Sequence, residues 1–152
     1  MSTNADVIAV VETAFADVPR PADDELLHED CGDGSDLEPL YPIASWREMT
    51  DDVVIGSYAA PSFLSPAGFR YFLPAYLCFA LRQPNSGEAC VSGIIWSLDP
   101  ALFGPEVRAF VRSKFTLLDD AQRAAIAAFL QAMTESIYAD DARRALREWT
   151  TA

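Results

Sequence analysis

The hydrophobic positions of this chain recur at helical spacing along most of its length. The first stripe predicts a helix over residues 3–17, which Pro19 and Pro21 end. Its apolar residues fall at i, i+3, i+4, i+7 and i+8, the spacing that lines one face of an α-helix: Val7, Val10, Val11, Ala14 and Phe15.

A shorter helix is predicted after residue 50. Thr50 is a favourable N-cap, and the two acidic residues that follow it suit the positive end of a helix over residues 51–58. The run of β-branched residues at 53–55 also suits a short strand, so this stretch keeps two interpretations.

The next helix has a clear start signal and a proline in its interior. Ser65-Pro66 marks its beginning, because serine caps well and proline is favoured at the first helical position. The helix is predicted to span residues 66–81 and is dense in aromatic residues. Pro74 lies inside it and lacks a backbone N–H, which predicts a kink or a break there.

The C-terminal half repeats the helical pattern. Helices are predicted over residues 90–98, over residues 106–110 or a little further, and over residues 141–149. Asp119 followed by Gln122 forms a capping-box variant before another helix. No pair of alternating strands joined by a hairpin turn is present in the sequence. We therefore predict an all-α fold, one compact domain of six or seven helices over residues 1–152.

One long stretch has no hydrophobic period. Residues 22–43 are rich in turn-forming residues, and a connection of this length inside a compact domain is typical of functional or mobile segments. We expect a long acidic loop after the first helix. Its centre, residues 23–38, is called the acidic segment below and carries eight carboxylates and no Lys or Arg.

Charge is distributed unevenly between the two parts of the chain. The 152 residues have a formal net charge of −12. Residues 1–60 contain 14 Asp or Glu against two Arg, whereas residues 61–152 contain nine acids and nine bases. Nucleic acid and anionic membrane surfaces are disfavoured partners, because both are bound through Lys and Arg. A basic protein surface is the partner that this charge favours.

The sequence also bears on the cellular compartment. It has no run of apolar residues long enough to span a membrane, and the segment MSTNADVIAV lacks the basic start of a signal peptide. Three widely spaced cysteines, an odd number, fit a reducing environment. We expect a cytoplasmic protein, and the oligomeric state stays open.

Two stretches resemble a known family. The first is the run FLSPAGFRYFLPAY at residues 63–76, and the second is QRAAIAAFL at residues 122–130 with ALREW at residues 145–149. Together with Ala14-Phe15, Val18-Pro19 and Trp46, they resemble a family of small uncharacterised bacterial domains of unknown function. The resemblance implies a fold but no catalytic residue.

Most catalytic and metal-binding chemistries lack the residues that they need. His28 is the sole histidine and is expected in the solvated acidic loop, where a catalytic triad is disfavoured. The cysteines and His28 lack the paired spacing of a zinc site, and Gly32 and Gly34 break the calcium-binding pattern that begins at Asp30. We predict no catalytic residue, no metal and no cofactor.

Two hypotheses for function follow. The first is a non-enzymatic binding protein, in its sharpest form an immunity or antitoxin protein that masks a basic toxin surface. Its predicted contact residues are Asp23, Asp24, Glu25, Glu29, Asp30, Asp33, Asp36 and Glu38. The alternative is a small-molecule-binding or enzymatic domain with a pocket near Pro74, for which core packing of the tyrosines is the competing interpretation. The predicted pocket residues are Arg70, Tyr71 and Tyr76.

Overall fold

A computed structural model describes residues 2–150, and within that range the chain is helical. The α-helices are α1 (Asn4–Ala14), α2 (Asp51–Gly56), α3 (Pro66–Arg82), α4 (Ala89–Ser97), α5 (Pro105–Ser113), α6 (Asp120–Met133) and α7 (Ala139–Thr150). Five short 3-10 helices connect them, and one isolated β-bridge joins Leu27 to Leu64. The prediction of an all-α domain with six or seven helices is confirmed.

Side-chain caps begin four of these helices, and three of the capping residues, Thr50, Ser65 and Asp119, were predicted. The side-chain oxygens of Thr3, Thr50, Ser65 and Asp119 each accept a hydrogen bond from a backbone N–H in the first turn, at 2.8–3.3 Å. Gln122 completes the capping box at α6 by accepting from the Asp119 N–H at 3.0 Å. Residues 53–55 therefore lie in helix α2, and the alternative of a short strand is wrong.

Helix α3 runs through the centre of the domain. Every residue from Tyr71 to Leu81 on this helix is buried, and α1, α4 and α6 all contact it. The helix continues past Pro74, so the predicted break is wrong. A proline inside a helix costs about 3 kcal/mol, but burial of one large apolar side chain contributes about 1.5–3 kcal/mol. Packing on several sides therefore outweighs the one hydrogen bond that Pro74 cannot donate.

Some helix limits differ from the predicted ones. Helix α1 ends at Ala14, before the predicted residue 17, whereas α7 extends beyond its predicted range at both ends. Helix α5 continues past residue 110 to Ser113, as the prediction allowed. Helix α7 packs against α6 and α4, and α6 packs against α1 and α3. The limits depend on these tertiary contacts as well as on the local sequence.

The region predicted to be a long loop has internal structure. It contains two 3-10 helices, Asp23–Glu25 and Ser35–Leu40. Leu26, Leu37 and Leu40 are fully buried in the hydrophobic core. The predicted long acidic loop over residues 22–43 therefore contains short helical turns and buried leucines, while its eight acidic residues are exposed. Its leucines have no helical period, but each provides an apolar anchor that the domain can bury.

Candidate functional site

The eight residues of the acidic segment predicted to contact a partner are all exposed. Asp23 forms an ion pair with Arg20 at 3.0 Å, and a carboxylate oxygen of Asp30 lies 3.9 Å from His28 Nδ1. Across residues 2–150, none of the other six carboxylates forms an ion pair with a basic side chain. The negative charge of the segment is therefore largely uncompensated within the domain.

Two of these carboxylates organise the local backbone. Glu25 accepts a hydrogen bond from the Ala22 N–H at 3.1 Å, and Asp33 accepts one from the Ser35 N–H at 3.0 Å. The bond from Ser35 lowers the pKa of Asp33, because it favours the ionised carboxylate. Four side chains make no hydrogen bond or ion pair in the described structure: Asp24, Glu29, Asp36 and Glu38.

Arg20 fixes the two ends of this region to each other. Its guanidinium donates to the backbone carbonyl of Pro21 at 2.7 Å on one side. On the other side it donates to the carbonyls of Leu40, Tyr41 and Ile43 at 2.7–3.3 Å. Arg20 thus joins the chain before the acidic segment to the chain after it. A guanidinium suits this position because it presents five donors in one plane.

Backbone hydrogen bonds also hold the segment against the start of α3. The His28 N–H donates to the Phe63 carbonyl at 2.8 Å, and the Ser65 N–H donates to the Leu26 carbonyl at 2.7 Å. The Ser65 hydroxyl donates to the Glu25 carbonyl, also at 2.7 Å. The exposed carboxylates are therefore attached to a backbone that is bonded to the central helix.

His28 is buried, contrary to the prediction of a solvated histidine. Only 7% of its surface is exposed, and its ring meets the edge of the Phe110 ring at 4.5 Å between centroids. Its Nδ1 accepts from the Asp30 N–H at 3.1 Å, so the proton of the neutral ring lies on Nε2, which is 3.5 Å from Ser113 Oγ. The contact with α5 buries the ring. The sequence did not predict this burial, because residue 113 is 85 residues away from His28.

The three predicted pocket residues do not surround one cavity. Tyr71 and Tyr76 are buried in the core, and their hydroxyls bond to backbone or side-chain atoms of residues 44–57. Burial raises the pKa of Tyr76. Arg70 is partly exposed and donates to Gln122 Oε1 at 3.2 Å. Core packing, the competing interpretation, therefore describes both tyrosines.

Sequence reasoning missed a buried lysine. Lys114 is 4% exposed, and its Nζ donates to the carbonyls of Pro61 at 3.0 Å and Ser62 at 2.6 Å. Nζ also lies 4.6 Å from the centre of the Phe110 ring. Burial lowers the pKa of Lys114 to about 8, from an ordinary value of 10.5. The available signal was that the only lysine of the chain directly precedes a phenylalanine at 115 and follows the apolar pair at 110–111 within one helical turn.

A surface cavity of about 270 Å³ lies beside this lysine, between α4 and α5. Its walls are mostly apolar and aromatic, and Trp96 and Val107 on its rim are each about half exposed. The cavity is lined by Ser62, Gly93, Trp96, Ser97, Phe103, Val107, Phe110, Val111 and Lys114. We call it the Lys114 cavity.

The thiols and carboxylates do not converge on a metal site. No group of three His, Cys, Asp or Glu side chains in residues 2–150 has the arrangement that would hold a metal ion. Cys31, Cys78 and Cys90 are free thiols, and the last two are buried. Of the helices in the described range, none is both long and apolar enough to cross a membrane.

These features define a small all-α domain with an anionic surface segment. Residues 3–151 match the family of unknown function DUF6714, and the chain belongs to that family. The resemblance to a family of unknown function is thereby confirmed. No curated protein and no solved structure matches the chain.

Proposed function

We propose that this protein is a non-enzymatic cytoplasmic binding protein that docks a basic protein through the acidic segment. In the sharpest form of the proposal it is an immunity or antitoxin protein. It then covers the basic active-site surface of a cognate toxin and so excludes the toxin's substrate.

The observation that carries the proposal is the set of free carboxylates. Asp24, Glu29, Asp36 and Glu38 are exposed and make no hydrogen bond or ion pair with described residues. Their charges are therefore available to the arginines and lysines of a partner. Charge-assisted bonds to carboxylates are stronger than bonds between neutral groups, and a bidentate arginine adds geometric specificity.

The hydrogen bonds that attach the acidic segment to the rest of the domain support the same function. Arg20 joins the chain on both sides of the segment, and backbone bonds fix residues 26 and 28 to residues 63 and 65. A preorganised surface loses less conformational entropy on binding than a flexible one. The concentrated negative charge also accelerates the encounter with a cationic partner, and salt weakens this effect.

The alternative hypothesis, a ligand pocket near Pro74, has weaker support. The hydroxyls of Tyr71 and Tyr76 are already engaged inside the core. A ligand at that place would have to displace packed side chains, and this opposes its binding.

Affinity capture from the native host tests the proposal with two matched variants. The first, Asp24→Asn/Glu29→Gln/Asp36→Asn/Glu38→Gln, removes four charges from the acidic segment. The second, Glu88→Gln/Glu106→Gln/Asp120→Asn/Glu135→Gln, removes four charges elsewhere. We expect the wild type and the second variant to capture the same basic protein at low salt. The purified partner should associate with the first variant at least ~10-fold more slowly.

The contrary outcome is also defined. If no basic protein is captured, or if both variants lose the partner equally, the acidic segment is not the docking surface. A captured partner whose isolated activity is toxic, and is blocked by this protein, supports the immunity form. A captured partner without such activity leaves the docking proposal in place and removes the immunity form.

A further inference from the structure

We propose that the Lys114 cavity binds a small aromatic carboxylate, with the ligand's ring between Trp96, Phe103 and Phe110 and its carboxylate on Lys114. This site is separate from the acidic segment, and it does not depend on the docking function. The ligand class follows from the charge of Lys114, which lines the cavity, from the apolar nature of the other lining residues and from the size of the space.

The charge argument begins with the surroundings of Lys114. An ammonium group carries three N–H donors, and two of them serve the carbonyls of Pro61 and Ser62. No carboxylate in residues 2–150 forms an ion pair with Lys114, although the side chain is almost fully buried. Buried charges are normally paired, because their removal from water is expensive. An anionic ligand group would supply the missing partner and accept the third N–H.

The polar lining suits one carboxylate. The Ser97 hydroxyl donates a hydrogen bond to the Gly93 carbonyl at 2.8 Å. The Ser62 hydroxyl makes no hydrogen bond to described residues. Lys114 and Ser62 can therefore serve the two oxygens of one carboxylate. A phosphate dianion has more oxygens and more charge than these two donors satisfy, so a monoanion fits better.

The walls and the volume limit the rest of the ligand. Trp96, Phe103, Val107 and Phe110 offer aromatic and aliphatic surface with no further charge. Aromatic rings gain from stacking or edge contacts with such walls. The volume of about 270 Å³ is slightly below the ~300–1,000 Å³ of ordinary ligand sites. A ligand with one ring or one fused ring system therefore fits, and larger ligands do not.

The protonation of Lys114 gives the site a predicted pH dependence. The pKa of about 8 means that the amine is charged below pH 8 and increasingly neutral above it. The carboxylate binds the charged amine, so its affinity should fall as pH rises above 8, by up to ~10-fold per unit. The other titratable groups near Lys114 are His28 and Cys31 of the acidic segment and Asp30 beside them.

Isothermal titration calorimetry with three pairs of probes tests the proposal. Benzoate, phenylacetate and indole-3-acetate are compared with benzamide, phenylacetamide and indole-3-acetamide, which keep the shape and remove the charge. We expect at least one carboxylate to bind the wild type ~10-fold or more tightly than its amide. Its affinity should be constant between pH 6 and 7.5 and should fall between pH 8 and 9.5.

Lys114→Met keeps the length of the side chain and removes the ammonium, so it should abolish the preference for the carboxylate. Arg82→Met is the matched control, because Arg82 pairs with Asp51 at the surface outside the cavity lining, and it should bind like the wild type. Cys31→Ser should leave the pH profile unchanged. The proposal is overturned if no carboxylate binds, if the amides bind equally well, or if affinity does not change from pH 6 to 9.5. These three readouts use the wild type and do not require Lys114→Met to fold.

Discussion

Two cations near the acidic segment bond mainly to backbone carbonyls. Arg20 donates to four carbonyl oxygens and pairs with Asp23 alone, and Lys114 donates to two carbonyl oxygens with no carboxylate in an ion pair. Carbonyl dipoles solvate these cations and leave the neighbouring carboxylates unpaired. Arg20, which joins the chain on both sides of the segment, thus neutralises only one of its eight carboxylates.

Tyr76→Phe and Tyr71→Phe test the hydrogen bonds of the core tyrosines. The Tyr76 hydroxyl lies 2.9 Å from Ser57 Oγ and 3.1 Å from the Ser57 carbonyl. The Tyr71 hydroxyl has two longer contacts, both 3.3 Å. We expect Tyr76→Phe to lower the free energy of unfolding in urea by about 1–2 kcal/mol, and Tyr71→Phe by less. A larger loss for Tyr71→Phe would contradict these assignments.

At the scale of elements, the first turn of α3 is the point where the acidic segment meets the core. Gly68 lies in this turn, and a Cβ atom there would stand 3.0 Å from both the Leu26 carbonyl oxygen and a methyl group of Leu64. The Leu26 oxygen is already held by the Ser65 N–H. The lack of a side chain at residue 68 therefore permits the close approach of the two elements.

Alanine substitutions at two glycines distinguish the effect of this close contact on stability from the effect of helix propensity. Alanine favours a helix over glycine by about 1 kcal/mol. At Gly93 in α4, a Cβ would meet only the Tyr58 carbonyl at 3.9 Å, so Gly93→Ala should stabilise the domain by about 0.5–1 kcal/mol. Gly68→Ala should destabilise it by about 1–3 kcal/mol, because the new methyl group is overpacked. Urea unfolding of both variants measures the difference, and equal effects would refute the close contact.

The whole molecule joins an anionic first part to a second part with balanced charge. Residues 1–60 carry the net negative charge, yet they contribute α1 and the buried leucines of the segment to the same core as residues 61–150. The charge asymmetry along the sequence therefore does not mark a boundary between two domains. It is expected to influence association and solubility more than the fold itself.

Alkaline pH should destabilise the whole domain through two buried thiols. Burial raises the pKa of Cys78 and Cys90 to about 11, from an ordinary value of 9.0. Between these values the unfolded chain releases protons that the folded protein keeps, so stability is lost as pH rises through this window. Each thiol contributes up to about 1 kcal/mol per pH unit. Lys114 has the opposite effect on stability between pH 8 and 10.5. Because its pKa is lower in the folded protein than in the unfolded chain, its contribution to stability increases as pH rises through this window.

The double variant Cys78→Ala/Cys90→Ala isolates the thiols, since it retains Lys114. We expect the variant to lose less stability than the wild type between pH 9 and 11, as measured by urea unfolding at each pH. Val91→Ala, a truncation in the same helix as Cys90, is the control and should shift stability equally at every pH. An unchanged pH dependence in the double variant would show that these thiols ionise as readily in the folded protein as in the unfolded chain.

The sequence by itself determined the features that depend on neighbours within a few residues. Helical spacing and the caps at Thr50, Ser65 and Asp119 predicted all-α structure, since a helix is built from contacts one turn apart. The uneven charge was equally visible. For the candidate site, the sequence identified the eight acidic residues, which the structure shows as exposed, but it gave no sign of the bonds between their segment and the start of α3.

Only the tertiary structure decided which irregular residues are buried. His28 meets Ser113, which is 85 residues away, and Lys114 bonds to the Pro61 carbonyl across 53 residues. Such contacts leave no local period, because they depend on how whole helices pack. Packing between helices also stabilises α3 across Pro74 and forms the Lys114 cavity between α4 and α5. Local sequence thus specified the helices and their charge, and long-range packing specified how the acidic segment is attached to α3 and where the Lys114 cavity forms.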